Sequence, residues 1–142
     1  MVVEITKQSN IMALDIGDVR IGVALASLES LIPAPLVTLA NDDQLLENLK
    51  TQIANHNVAK LVVGLPRGMD GQETSQTTKV RQLAQKLSHE LELPVQFQDE
   101  FLSSVTAEEL LINGKKSYTK ADIDKLSASL ILRDYITTNE QI

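Results

Sequence analysis

Three acidic residues lie within or directly after predicted buried segments, where charged side chains are unusual: Asp15, Asp99 and Glu100. Asp15 interrupts the apolar run IMALDI (11–16), and burying its carboxylate without a partner would cost on the order of several kcal/mol. Asp99 and Glu100 come directly after VQFQ, at the predicted end of a strand, where open α/β sheets bind ligands. For Asp15, the alternative is a salt bridge with nearby Arg20. For Asp99 and Glu100, the alternative is a surface turn in which the acids interact with the N-terminal dipole of the next helix.

A further acid lies on the predicted C-terminal helix, 121–137. At about 100° per residue, the predicted buried stripe of this helix consists of Ile123, Leu126, Ser127, Leu130 and Ile131. Asp124 falls inside the buried sector and Asp134 also projects inward near the end of the chain, whereas Asp122 falls outside. Periodicity therefore dismisses Asp122 and leaves Asp124 and Asp134 as alternatives.

Two carboxylates at strand ends and one on a covering helix suit hard divalent cations. Mg²⁺ commonly needs only a few carboxylates, together with water and substrate phosphates. Two such ions about 4 Å apart activate a water and stabilise the leaving oxygen in phosphodiester cleavage. The two histidines, His56 near a helix C-terminus and His89 on a polar helix face, are expected to be structural. No GxSxG, P-loop or HExxH motif competes with this interpretation.

The elements that must position these acids alternate in a recognisable order. The predicted strands are 11–16, 20–27, 36–40, 60–66 and 95–99, and the predicted helices are 42–56, 74–92, about 104–113 and about 121–137. Asp42 or Asp43 is expected to cap the first helix. The first three strands are hairpin-linked and hence antiparallel, and the last two follow crossover helices and hence run parallel. The sequence predicts one α/β domain over 1–142, with a five-stranded mixed sheet flanked by helices.

Composition places the chain among soluble intracellular proteins. It has 142 residues with no cysteine, which removes disulfides and thiol catalysis and suits a reducing cytoplasm. No apolar run is long enough to span a bilayer, and no secretory signal is visible, so no membrane partner is expected. Nineteen acidic residues against thirteen basic ones give a net charge of −6, which argues weakly against nucleic-acid binding. The dense basic stretch of Lys115, Lys116 and Lys120 is either a substrate-binding loop or a solvated one.

Four segments together resemble the YqgF/RuvX family, whose members are described as pre-16S rRNA nucleases or as Holliday junction resolvases. They are ALDIGDVRIGVALAS (13–27), LVVGLPRGMDG (61–71), LPVQFQDEFLSS (93–104) and DKLSASLILRDYI (124–136), and they occur in the expected order over nearly the whole chain. The resemblance implies a ribonuclease H-like nuclease domain. It also implies that Asp15, Glu100 and Asp124 are the catalytic and metal-binding acids, which decides against Asp134.

The chain departs from the family pattern at two positions. The usual Asp-Glu-Arg triplet reads Asp99-Glu100-Phe101 here, so an arginine that would bind phosphate or steady the acids is missing. Ser127 stands where the family usually has alanine. The other basic residue of the motif, Arg20, is kept and is expected to bind substrate. If the lysine loop does not bind substrate, Arg20, Arg67 or another basic residue would have to do so. Alternation along the strand places Phe97, Asp99 and Phe101 on one side and Gln98 and Glu100 on the other.

The resemblance favours a Mg²⁺- or Mn²⁺-dependent endonuclease that processes the 5′ end of pre-16S rRNA in ribosome biogenesis. A first alternative is a resolvase of four-way DNA junctions, which would require a two-fold dimer, although no dimer face is visible in the sequence. A second is an actin- or Hsp70-like phosphate-binding lobe, for which the chain is too short to enclose ATP. A third is a catalytically degenerate RNA-binding domain, favoured by Phe101 and the negative charge and opposed by the intact acids.

Overall fold

A computed structural model describes residues 9–100, 103–114 and 117–139. In these ranges the elements follow the order β1 (Asn10–Ile16), β2 (Arg20–Ser27), β3 (Ala34–Ala40), α1 (Leu45–Asn55), β4 (Val58–Pro66), α2 (Ser75–Leu91), β5 (Val95–Glu100), α3 (Ser103–Asn113) and α4 (Lys120–Thr138). The predicted elements are all present, and their boundaries differ from the prediction by at most three residues. No helix in the described ranges has the length and apolarity that crossing a membrane requires.

The five strands form one sheet in the order β3-β2-β1-β4-β5. β1 pairs antiparallel with β2 and β2 antiparallel with β3, while β1–β4 and β4–β5 are parallel. This mixed sheet is the one predicted from the hairpins and crossover helices. Because β1, β4 and β5 run in the same direction, their C-terminal ends lie at the same edge of the sheet.

The sheet separates two apolar cores. On one face, large aliphatic side chains of the strands pack against α1 and α2, with Leu49 and Leu61 fully buried. On the other face, the strands contribute mainly alanines, which pack against Ala128, Ile131, Leu132 and Tyr135 of α4. Side chains alternate between the two faces along each strand, so each strand residue is assigned to the α1/α2 face or the α4 face.

The helix starts show one difference from the sequence prediction. α2 and α4 begin at capping boxes, Thr74–Thr77 and Thr119–Asp122. α1 begins at Leu45, and neither Asp42 nor Asp43 is its cap. The Asp42 carboxylate instead accepts a hydrogen bond from the Gln44 amide at 2.9 Å, and the Asp42 carbonyl accepts one from the Leu45 amide at 3.1 Å. The aspartate therefore stabilises a turn that precedes the helix.

Candidate active site

Asp15 lies one residue before the end of β1, on the α4 face. Ile11 and Ala13, which share its side of the strand, belong to the core under α4, whereas Met12 and Leu14 belong to the core under α1 and α2. Asp15 is only partly buried by surface area. Its carboxyl group is nevertheless desolvated, and it has acidic neighbours in the sheet and on the helix.

The carboxylates of Glu100 and Asp124 both act on Asp15. Burial raises the pKa of the Asp15 carboxyl well above its usual value. The negative charge of Glu100, a hydrogen bond with the Glu100 side chain and the charge of Asp124 raise that pKa further. Residues from β1, β5 and α4, far apart in sequence, therefore concentrate negative charge at one edge of the sheet.

Two glycines allow this approach, and sequence analysis did not identify either. Gly22 is the cross-strand partner of Asp15, and a Cβ on it would lie 1.9 Å from the Asp124 carbonyl oxygen. A Cβ on Gly64 would lie 2.6 Å from Oε2 of Glu100 and 2.6 Å from Cδ1 of Ile131. A glycine inside a strand pattern is a signal of close backbone approach.

Gly17, by contrast, serves the β1–β2 turn. In an Asp-x-Gly sequence at a strand end, the glycine can leave room for a ligand beside the carboxylate. In the structure the Gly17 amide donates to the Arg20 carbonyl at 2.9 Å, and a Cβ on Gly17 would meet that same oxygen at 2.8 Å. The glycine that matters for the surroundings of Asp15 is therefore Gly22 across the sheet, where the α4 backbone occupies the place of a side chain.

Arg20 pairs with Asp124 instead of Asp15. Its Nε donates to Oδ2 of Asp124 at 2.5 Å, between side chains that are 38% and 21% exposed. The alternative of an Asp15–Arg20 salt bridge is therefore wrong. Within residues 9–100, 103–114 and 117–139, no three His, Cys, Asp or Glu side chains are already grouped so that they could hold a metal ion. A cation shared by Asp15, Glu100 and Asp124 would compete with Arg20 for Asp124.

The N-terminal half of α4 is fixed against the strands. Thr38 of β3 donates from Oγ1 to the Ala121 carbonyl at 2.6 Å, and the close contact at Gly22 follows one turn later. At the far end of the helix, the buried Tyr135 hydroxyl bonds to the Gln96 side chain and accepts a hydrogen bond from Lys60 Nζ. Asp124 is thus carried by a helix anchored at both ends.

The remaining acids lie away from this site. Asp99 points to the opposite face of β5 from Glu100, where it accepts hydrogen bonds from Arg67 Nε and Nη2 at 3.0 and 2.9 Å. Asp122 accepts from the Thr119 amide in the capping box at 2.9 Å. The strand alternation predicted for residues 97 to 100 agrees with these contacts, because Phe97 packs on the α1/α2 side under Arg81.

The prediction that Asp134 projects inward is wrong. Its side chain is 53% exposed and lies 3.4 Å from Arg133 Nη2. The buried stripe of α4 is centred on Ile131 and Tyr135, while Ile123 and Leu126 are only partly buried. Compared with the predicted stripe, the observed one is shifted around the helix axis, so that Asp124 lies nearer its centre and Asp134 lies at its margin.

The predicted basic loop is described only in part. Lys120 is exposed as the first residue of α4. Lys115, Lys116 and Phe101 lie outside the described residues. Both histidines lie where sequence analysis placed them: His56 follows the last residue of α1, and His89 is exposed on α2.

Known proteins similar to this chain point in one direction. The family described as "RuvX: Holliday junction resolvase" matches residues 9–138. A Chloroflexus aurantiacus protein named "Putative pre-16S rRNA nuclease" is 39% identical over 130 residues, covering 89% of this chain and 85% of the relative. A relative of the same name from Sulfurihydrogenibium sp. is 35% identical over 130 residues, covering 90% of each protein.

A solved structure supports the fold independently. RuvC of T. thermophilus, in complex with a Holliday junction substrate, superposes with a TM-score of 0.57 over 92% of this chain and 96% of that chain. The sequence identity is 12%, so this likeness concerns the fold alone. It confirms the predicted ribonuclease H-like class, and the 9–138 match fixes the family. The chain belongs to the RuvX family, and it is accordingly a nuclease that hydrolyses phosphodiester bonds in nucleic acid.

Proposed function

We propose that this chain is a divalent-metal-dependent endonuclease that processes the 5′ end of pre-16S rRNA in the cytoplasm. The observation that carries the proposal is the electrostatic interaction among Asp15, Glu100 and Asp124 at the C-terminal edge of the sheet, where burial and the two neighbouring carboxylates raise the pKa of Asp15. We assign these three acids as catalytic and metal-binding, within one nuclease domain over residues 1–142.

The chemistry of the donors suits Mg²⁺ or Mn²⁺, although the described side chains are not arranged as a metal-binding group. All three side chains supply carboxylate oxygens, the ligands that these hard cations prefer. Burial raises the pKa of Asp15, and repulsion from Glu100 and Asp124 raises it further; a divalent cation would relieve that repulsion. When bound, such a cation supplies activation of a water and stabilisation of the leaving oxygen in phosphodiester hydrolysis.

Arg20 has two uses at this site. Without a cation, its guanidinium neutralises Asp124. Once Asp124 is engaged elsewhere, the same guanidinium is available for a substrate phosphate, with which arginine forms charge-assisted hydrogen bonds. We assign Lys115, Lys116 and Lys120 to substrate binding as well, because they immediately precede or begin the helix that carries Asp124.

Pre-16S rRNA is favoured as substrate by the names of relatives that this chain matches over about nine-tenths of its length. The family description favours a four-way DNA junction as the second candidate. A four-way junction has two symmetric cut sites, and resolving it calls for a two-fold dimer. Oligomeric state therefore bears directly on the choice between the two substrates.

The test is cleavage of two labelled substrates by the purified chain with Mg²⁺ or Mn²⁺. One is an RNA that contains the 5′ end of 16S rRNA and its precursor extension, and the other is a four-way DNA junction. We expect RNA cleavage that requires the cation, is lost in Asp15→Asn and is retained in Asp122→Asn, whose carboxylate caps α4. Symmetric incision of the junction alone, by a dimer, would overturn the rRNA assignment. Cation-independent binding without cleavage of either would favour a degenerate RNA-binding domain.

A further inference from the structure

Met69 is the most exposed large apolar side chain among the described residues, at 103% relative exposure. Leaving a methionine fully in water forgoes the stabilisation that burying it would give. A single exposed apolar residue is ordinary on a protein surface. Met69 differs in two respects: the loop that carries it is held by hydrogen bonds, and that loop lies at the edge of the sheet where the acids lie.

The loop from β4 to α2 is held by several hydrogen bonds. The Gly71 amide donates to the Gly68 carbonyl at 2.9 Å, and the Gly68 amide donates to the Gln72 carbonyl at 2.8 Å. Gly71 has φ +76°, a conformation that favours glycine. These contacts close a tight turn with Met69 and Asp70 at its tip.

The base of the loop is fixed as well. Arg67 bonds to Asp99 of the neighbouring strand at 2.9 Å, and Thr77 of α2 donates to the Pro66 carbonyl. Because Asp99 faces the α1/α2 side of β5, these contacts hold the base of the loop on that side of the sheet edge. The tip therefore presents Met69 to solvent from a hydrogen-bonded loop, and such preorganisation reduces the entropy lost on contact with a ligand.

The loop leaves the sheet between the two strands that carry acids. β4 lies between β1, with Asp15, and β5, with Glu100, and the three strands end at the same edge. Pro66, three residues before Met69, is the register partner of Glu100. The neighbouring β1–β2 turn, at that same edge, exposes a second apolar side chain, Val19, at 68%.

The chemistry of the tip selects one part of a nucleic acid. Met69 and Asp70 carry no positive charge, and Asp70 would repel a phosphate. A nucleobase, however, offers an apolar face, and methionine is among the side chains that insert between base steps and unstack them. Its thioether is also polarisable and makes favourable contacts with aromatic rings.

We infer that Met69 contacts a base beside the scissile phosphate and unstacks it, so that the enzyme prefers substrates whose bases there are unpaired or weakly stacked. This inference rests on the proposed nuclease function. It adds a substrate contact that acts on bases, whereas Arg20 and the lysines act on phosphates.

The experiment uses an RNA with 2-aminopurine at successive positions around the cleavage site, because this base becomes more fluorescent when it is unstacked. Binding is followed in the Asp15→Asn background without cleavage, and kcat/KM is measured separately in the otherwise unchanged protein. We expect Met69→Ala to abolish most of the fluorescence rise at one or two positions and to lower kcat/KM about tenfold, at the low end of the range for bases stacked on aromatic side chains because methionine has no ring. Met69→Leu should restore most of both.

Ile32→Ala is the matched control. Ile32 is 70% exposed in the loop between β2 and β3, at the opposite edge of the sheet from the acids. It should change neither quantity, and both alanine variants should melt like their parent because they truncate exposed side chains.

The outcomes separate the two proposals. Fluorescence and kcat/KM in Met69→Ala equal to those of the parent would overturn the base contact, even if cleavage is otherwise as proposed. Loss of cleavage with an unchanged fluorescence rise would also overturn it. A Met69-dependent rise in a protein that cleaves no substrate would support the contact and count against the nuclease. Absence of RNA binding by the parent would overturn both.

Discussion

The two faces of the sheet differ in the size of the side chains that they present to the helices. Toward α1 and α2, the strands present large aliphatic side chains, such as Leu14, Val23 and Leu61, all fully buried. Toward α4, they present Ala13, Ala24 and Ala26, with Gly22 and Gly64 near the acids. Large side chains hold a helix away from the strands, whereas small ones let its backbone come close.

The difference indicates that one face of the sheet mainly stabilises the fold and the other positions the acids. On the α1/α2 face, burial of apolar surface is the main source of stability. On the α4 face, close packing brings Asp124 to Asp15, and the resulting repulsion and desolvation oppose folding. An active site destabilised in this way relies on stability supplied elsewhere.

The largest expected effect comes from one substitution on each face, which should separate the contribution of packing to stability from its contribution to catalysis. Gly22→Ala places a methyl 1.9 Å from the Asp124 carbonyl oxygen, so α4 must move. We expect a loss of about 3 kcal/mol in the free energy of unfolding, and about a hundredfold loss of cleavage in the folded protein. Denaturant unfolding and cleavage kinetics measure the two effects.

Leu49→Ala is the control for that substitution. Leu49 is fully buried in the α1/α2 core, and its truncation should cost about 2–5 kcal/mol while leaving kcat of the folded protein unchanged. Full activity in Gly22→Ala would show that the close contact does not position the site.

Asp15→Asn should abolish cleavage and stabilise the fold. Since the pKa of Asp15 is raised, folding favours its protonated form, and the stability linked to this group falls as pH rises through the raised pKa. The uncharged amide removes that penalty. Above this pKa, without metal, we expect Tm to rise by about 2–4 °C, roughly 1 kcal/mol. Melts without metal should show the gain shrinking as pH approaches the usual range of aspartate.

Asp122→Asn is the opposite case on the same helix. A hydrogen bond from the Thr119 backbone lowers the pKa of Asp122, so the charged form contributes stability above the usual aspartate pKa. Its amide variant should lose stability at neutral pH, and should cleave normally. A stabilised Asp122→Asn or a destabilised Asp15→Asn would contradict the electrostatic account of the site.

Arg20→Gln should tighten metal binding. Arg20 competes for Asp124 through a charge-assisted hydrogen bond, so removing it should raise Mn²⁺ affinity about tenfold while weakening RNA binding. Isothermal titration of Mn²⁺ measures the first effect without any need for cleavage. Arg81→Gln breaks an ion pair of similar length on the other face, with Glu73 at 2.6 Å, and should leave Mn²⁺ affinity unchanged. Equal Mn²⁺ affinity in Arg20→Gln and the parent would remove Arg20 from the metal site.

The same division between faces explains what sequence could predict. Strand and helix order followed from local periodicity and turn length, and the resemblance then singled out Asp15, Glu100 and Asp124. The buried stripe of α4 was predicted only in part: Ser127, Leu130 and Ile131 are buried, whereas Ile123 and Leu126 are not fully covered, because a helical wheel cannot tell how the helix is rotated against the sheet. Contacts such as Gly22–Asp124 and Arg20–Asp124 join residues about a hundred positions apart, and no local pattern encodes them.

Two buried hydroxyls, one on each face, give the smallest expected effect. Ser127 on α4 is fully buried, and its Oγ has no hydrogen-bond partner among the described residues. Thr77 on α2 is equally buried, but its hydroxyl donates to the Pro66 carbonyl and accepts from the Thr74 amide. Desolvating an unpaired hydroxyl opposes folding, whereas removing a paired one leaves its partners unsatisfied.

Ser127→Ala and Thr77→Val should therefore shift stability in opposite directions. We expect a gain of about 1 kcal/mol for Ser127→Ala and a loss of about 1–3 kcal/mol for Thr77→Val, both measured by denaturant unfolding. Ser127 lies one turn from Asp124 on a helix held at both ends, so cleavage by Ser127→Ala should stay within about twofold of the parent. A destabilised Ser127→Ala would mean that an ordered water satisfies the hydroxyl, and that the α4 face is less tightly packed than its small residues imply.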